Sequence, residues 1–231
     1  MGRYTYLVVI YWYLGEIYME LKYKRYFLLT VAILFISLIL NIVTSMDNMK
    51  YKYKVGTESY NNIENIKGRN ESNIVLLNSA IEVGTISDMD AVKLYDNYKT
   101  ISDSFINLWS EYSFYEEDKK GFSFKKIDTN KALLNDVNDK LQEYLKEIIY
   151  SEIKNKANKI EIKAVALDQF KEMKNLAMEI DAYYKEFYNT KLNGAIDEDK
   201  KNKIIKKYYW IDMLEGMNGI NEGYANMDFK S

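Results

Sequence analysis

Apolar positions recur along most of this chain at spacings of three and four residues, the period of an amphipathic helix, and one stretch departs from that rhythm. The run that opens at Phe27 and closes at Val43, FLLTVAILFISLILNIV, carries no charge, and its only polar residues are Thr30, Ser37 and Asn41. At about 1.5 Å of rise per residue, residues 26–44 approach the roughly 30 Å hydrocarbon thickness of a bilayer. Lys22, Lys24 and Arg25 abut the start of the run, and Tyr23 and Tyr26 stand where interfacial aromatics belong. A core helix of a soluble protein rarely has apolar side chains on every face. The pattern therefore predicts a single transmembrane helix over 26–44, contacting lipid through Phe27 to Val43. Val43, Thr44 and Ser45 also resemble the small-residue end of a signal peptide, and cleavage near Ser45 would release a secreted protein. The run exceeds the roughly 7–15 residues of a signal-peptide core, which favours a retained anchor. Lys50, Lys52 and Lys54 begin seven residues beyond the run and follow Asp47, whereas the N-terminal cations touch it. That asymmetry predicts a cytoplasmic N-terminus and an extracytoplasmic remainder.

Residues 1–25 precede the span. Tyr4 to Leu14, YTYLVVIYWYL, is apolar and aromatic but too short to cross a bilayer as a helix, and reads as an interfacial segment. A start at Met19 would give the more regular N-terminus of an exported protein. After the span, residues 45–70 are polar and read as a stalk. From Glu71 the helical stripe begins with Ile74, Leu77 and Ile81 and stops at Gly84. Ser87 is placed to accept a hydrogen bond from the Asp90 amide at a helix start, with Asp88 and Asp90 in its first turn.

Beyond that start the stripe reads Val92, Tyr95, Tyr98, Ile101, Phe105, Leu108, Tyr112 and Tyr115, ending near Lys119, Lys120 and Gly121. Residues 122–128 form a connection, and Asp128 or Thr129 caps a helix with Leu133, Val137, Leu141, Tyr144 and Ile148 on one face. Polar residues 155–159 predict a turn or kink. A further stripe of Ala164, Leu167, Phe170, Leu176, Ile180, Tyr183 and Phe187 runs to Leu192, Asn193 and Gly194. Asp197, Glu198 and Asp199 open a last helix with Ile204, Ile205, Tyr208 and Ile211. The alternation in KIEIKAV, residues 159–165, is a brief strand signal with no hairpin turn beside it. The expected fold is all-α: one N-terminal transmembrane helix, then an antiparallel bundle of four or five helices over 71–216, then a flexible tail over 217–231.

Composition narrows the chemistry. The 231 residues include no Cys, His or Pro. Thiolate nucleophiles, Cys-ligated zinc, iron–sulfur clusters, Ser-His-Asp triads and imidazole proton switches are excluded. Absence of proline permits long helices. A net charge of −2 offers no whole-molecule attraction to nucleic acid.

The acidic clusters are Asp88 with Asp90, Glu116-Glu117-Asp118 and Asp197-Glu198-Asp199. A calcium loop starting at Asp197 fails, because Lys201 takes the third ligand position and Asn202 the place of the required glycine. First-turn acids complementing a helix dipole account for two of the three clusters. Ser151 and Lys154 have the bare spacing of a Ser-Lys dyad on an ordinary amphipathic helix. Gly216, Gly219 and Gly223 follow no strand and make no phosphate loop. Lys200, Lys201, Lys203, Lys206 and Lys207 lie next to Tyr208, Tyr209 and Trp210. They read as a solvated helix face, with contact to an anionic surface as the functional alternative. No residue is assigned as catalytic, cofactor-binding or metal-binding.

In layout, an anchor followed by an extracytoplasmic helical bundle resembles bacterial sensory domains. Those return through a second membrane helix, and residues 204–214 are too short and too charged at the edge to do so. The expectation is a membrane-tethered interaction or sensor-like domain that acts through a partner protein and not by catalysis. The alternative is an exported enzyme or toxin-like effector using carboxylate or serine chemistry on an envelope substrate.

Overall fold

A computed structural model describes the backbone of residues 2–117, 127, 137–155, 159–227 and 229. Side chains are described at 12, 19, 22–116, 127, 137–151, 159–227 and 229. Among the described residues the regular elements are helices, apart from one pair of three-residue strands. In chain order they form α1 (Gly2–Val83), β1 (Thr85–Ser87), α2 (Asp88–Glu117), α3 (Val137–Asn155), β2 (Lys159–Glu161), α4 (Val165–Lys191), α5 (Asp197–Lys206) and α6 (Tyr209–Tyr224). The chain divides into two compact units, Met1–Tyr51 and Lys52–Ser231.

The first unit is helical from Gly2 onward, and every side chain from 22 to 47 is exposed. Phe27, Phe35 and Leu40 are 68%, 62% and 61% exposed. None of the most apolar stretch is buried, and the helix is long and apolar enough to cross a membrane. The hydroxyl of Thr30 donates to the Tyr26 carbonyl at 2.9 Å, so this polar side chain is satisfied within its own helix.

The second unit is a set of antiparallel helices around one core. Glu58 meets Glu111 and Asn73 meets Asn97, so α1 and α2 run in opposite directions. Asn70 reaches Ala177 and Ile63 reaches Tyr184, which sets α1 antiparallel to α4. Tyr183 meets Asp212 while Tyr224 meets Glu179, giving the same relation between α4 and α6. Helices α2 and α3 pack along their lengths, joined by a hydrogen bond from Ser102 to Asp139.

The expected stripes mostly face this core. Tyr98, Ile101, Phe105, Leu108, Tyr112 and Tyr115 of α2 are buried, as are Val137, Leu141 and Tyr144 of α3 and Phe170, Leu176, Ile180 and Phe187 of α4. Val92 is exposed, because Ala91 and Leu94 take the inward positions at that end of α2. Leu133, the connection at 122–126 and the caps at Asp128 and Thr129 lie outside the described residues.

Four features depart from the sequence-based reading. Residues 46–68 are helical, as part of α1, and not an irregular stalk. The inward positions of α1 in the second unit are Val55, Ser59, Ile63, Ile66, Asn70, Asn73, Leu77 and Ala80, a three- and four-residue alternation carried partly by polar side chains. The KIE alternation does form a strand. It pairs with β1 some seventy residues earlier, Ile86 opposite Ile160, both buried. Gly84, at φ 72°, turns the chain from α1 into β1, a backbone conformation that a side chain would strain. The expected last helix is two, α5 and α6, divided where Tyr208 takes a left-handed conformation at φ 55°. Finally, α6 continues past Gly216 to Tyr224, and Met217 and Tyr224 are buried where a flexible tail was expected.

Two expected boundaries are met by the backbone. Ser87 Oγ accepts from the Asp90 amide at 3.1 Å at the start of α2. Asn193 and Gly194, both with positive φ, stop the chain after α4.

Candidate functional site

A cleft of about 210 Å³ lies among α1, α4, α5 and α6 of the second unit. Its apolar surface comes from Tyr184, Phe187, Tyr188, Leu192 and Met213, and its rim from six charged side chains. Three of these are acids, Glu64, Glu71 and Asp181, and three are cations, Lys67, Lys185 and Lys200. Helical spacing explains the grouping. Glu64, Lys67 and Glu71 follow one another at three and four residues on α1, and Asp181, Lys185, Tyr188 and Leu192 repeat that step on and just after α4.

Each cation at the rim has an acid partner. Lys67 lies 3.5 Å from Glu71, Lys185 lies 2.6 Å from Asp181, and Lys200 bonds Glu64 across the cleft. Lys200 also stands 5.7 Å from the centre of the Tyr60 ring, a cation–π contact that helps hold it in place. Burial, and then the negative charge of Glu64, push the Tyr60 hydroxyl above its ordinary pKa. Tyr184 is held in the phenol form even more firmly, chiefly by burial; its hydroxyl donates to the Ile63 carbonyl at 3.1 Å. The rim thus offers neutralised ion pairs over an aromatic floor. Among the described residues that line it, each charged side chain has a partner of opposite charge, beside an apolar surface that a mixed apolar and charged group could contact.

A second electrostatic feature lies between α1 and α2. Burial, followed by a hydrogen bond with Glu58 and its charge, pushes the Glu111 carboxyl up to about 7, while Lys54 draws it down. Lys54 stands 3.8 Å from Glu58, so the pair is one shared proton away from balancing its local charge.

The residues singled out in the sequence separate in space. Ser87, Asp88 and Asp90 serve the start of α2, and Ser87 Oγ returns a hydrogen bond to the Asp90 carboxylate at 2.7 Å. Asp197, Glu198 and Asp199 occupy the first turn of α5, where they complement its dipole. Glu116 and Glu117 close α2, and Asp118 lies outside the described residues. Ser151 donates to the Ile148 carbonyl within α3, and the Lys154 side chain lies outside the description. Among the described residues, no group of three or more acids is arranged to hold a metal ion.

The lysine run divides: Lys200 points into the cleft toward Glu64, and Lys203 bonds Asp199 and the Leu192 carbonyl, while Lys206 and Lys207 are exposed. The Tyr208 ring packs tilted and the Trp210 ring edge-on against Tyr115, at centroid distances of 5.0 and 5.7 Å, so buried Trp210 fills the core and half-buried Tyr208 lies against it. Sequence reasoning missed the cleft because four elements far apart in the chain build it. Only the i, i+4 pairing of Lys67 with Glu71 and of Asp181 with Lys185 was available as a local signal.

Comparison with protein-family models, with curated proteins and with solved structures finds no match to this chain.

Proposed function

We propose that this chain is a membrane-tethered helical domain that binds a partner and catalyses no reaction of its own. Residues 27–43 cross the bilayer once, the N-terminal flank stays in the cytoplasm, and the helical unit from Lys52 onward stands on the extracytoplasmic side. The observation that carries this reading is the apolar segment of α1, whose side chains have no protein cover. Leaving one large apolar side chain in water forgoes about 1.5–3 kcal/mol. Over this segment that sum exceeds the roughly 5–15 kcal/mol by which a domain is stable. Lipid supplies the missing cover. The basic residues that touch the N-terminal edge of the run support the orientation.

The cleft between α1 and α4 is where we place the partner. Its aromatic floor and paired rim charges favour a polypeptide segment bearing an apolar side chain beside polar ones. Lys206 and Lys207, at the end of α5, remain open for contact with anionic lipid or cell-wall polymer.

The test is fractionation of cells expressing the full chain. The reading expects the protein in the membrane pellet, resistant to alkaline carbonate and released by detergent. Recovery in the carbonate supernatant would overturn the anchor. For the cleft, a partner that co-purifies with the wild type should be lost with Tyr188→Ala and kept with Ser110→Ala, a change on the exposed face of α2. Equal recovery with both variants would move the partner elsewhere.

A further inference from the structure

We propose that the apolar span of α1 pairs, in parallel, with the same span of a second copy of this chain, and that Asn41 is the polar centre of the contact. The proposal rests on the membrane reading of residues 27–43. Thr30, Ser37, Asn41 and Thr44 are separated by seven, four and three residues on a continuous helix. At about 100° per residue they fall within an arc of roughly 60°. This arc gathers every polar side chain of residues 27–44, and the rest of the circumference is Leu, Ile, Val, Phe and Ala.

Asn41 is the demanding member. Its side chain brings two N–H donors and a carbonyl acceptor. Thr30 returns its hydroxyl to its own helix, but the Asn41 carboxamide has no hydrogen-bond partner among the described residues. Phe35 is the midpoint of 26–44, so Asn41 lies about 9 Å from the bilayer centre and about 6 Å inside the hydrocarbon edge. Acyl chains offer nothing to bond, and an amide left unpaired there is costly.

A second copy answers this need directly. In a parallel pair both Asn41 side chains lie at one depth, and each amide gives an N–H to the other's carbonyl, the self-complementary relation of a two-fold contact. The hydroxyl-bearing positions 30, 37 and 44, one heptad apart, keep side chains short along that face so that backbones can approach. The span carries no charge that would select a partner with the opposite charge inside the membrane.

The chain contains no cysteine, which makes the test clean. Full-length variants with one thiol each, Ser37→Cys, Thr44→Cys, Phe35→Cys and Ile39→Cys, are expressed and their membranes oxidised with copper phenanthroline. Phe35 and Ile39 stand on the opposite face by the same helical geometry. The expected result is disulfide-linked dimer at 37 and 44 and little at 35 and 39. Adding Asn41→Leu should lower the dimer yield at 37 and 44 by about five- to tenfold, the scale of one interhelical polar contact in a membrane. Pelleted chain that cross-links equally on both faces, or on neither, overturns the inference while leaving the anchor intact. A cross-link to a different protein in place of a dimer overturns it as well. Chain that stays in the supernatant removes the membrane reading and the inference together.

Discussion

Replacing Glu111 with glutamine should stabilise the helical domain at neutral pH and leave it unchanged in acid. Glu111 faces Glu58 across the α1–α2 contact, and burial with that neighbour raises its carboxyl from an ordinary 4.5 to about 7. The folded chain therefore holds this proton more tightly than the unfolded chain does. Between about pH 4.5 and 7 the native state carries more protons, so stability falls as pH rises through that window and levels off above it. At about 1.4 kcal/mol per unit the full displacement would amount to roughly 3 kcal/mol. Glu111 is only partly buried and the Glu58 side chain is 45% exposed, so solvent screening reduces this to about 1–1.5 kcal/mol. Glutamine keeps the hydrogen bond to Glu58 and removes the charge. Thermal melts of the full chain in nonionic detergent, followed by far-UV circular dichroism, should show Glu111→Gln raising Tm by about 2–5 °C near pH 8. Near pH 5 the two proteins should agree. A variant that melts no higher than wild type near pH 8, and keeps the same slope of Tm against pH, would refute the reasoning.

Three further outcomes follow from the packing. A Cβ added at Gly216 would come within 2.2 Å of the Tyr183 ring, whose hydroxyl bonds the Asp212 carbonyl, whereas Gly219 on the same helix has open space around it. Denaturant titration should find Gly216→Ala destabilising by about 1–3 kcal/mol and Gly219→Ala stabilising by about 0.5–1 kcal/mol. Asn97 is fully buried; it donates to Ser72 and Asn73 and accepts from Arg69. Asn97→Ala should cost about 2–3 kcal/mol in the same titration, and a loss below 0.5 kcal/mol would contradict that network. Lys200→Met strands the partly buried Glu64 and should cost about 1–2 kcal/mol, whereas Lys206→Met, at an exposed position, should change stability by less than 0.5 kcal/mol. Equal effects would mean that the lysine run is a uniform solvated face after all.

The parts of this fold that were legible in the sequence are those where apolar residues alone mark the inward face. Tyr98 through Tyr115 on α2, and Phe170 through Phe187 on α4, show their period without help. The second half of α1 hid because Ser59, Asn70 and Asn73 occupy core positions there, paired across helices or closely packed, and polar residues read as solvated. Ile160 and Ile162 alternated visibly, but their partner strand is some seventy residues away and no turn joins the two. The break at Tyr208 carries no glycine or proline to announce it; the ring of Tyr115 packs against both Tyr208 and Trp210 instead. The cleft depends on Lys200 meeting Glu64 from another helix, a contact that spacing along one helix does not encode.

The central claim, that the exposed apolar stretch of α1 lodges in lipid and carries the helical unit across, is tested most directly by one accessible thiol. Ser110 is exposed on α2, and in this cysteine-free chain Ser110→Cys provides the sole reactive sulfur. Intact cells are treated with a membrane-impermeant maleimide before lysis and fractionation. The account predicts labelled, full-length chain in the membrane fraction without permeabilisation. Labelling that appears only after the cells are opened, or labelled chain that stays in the detergent-free supernatant, would contradict it.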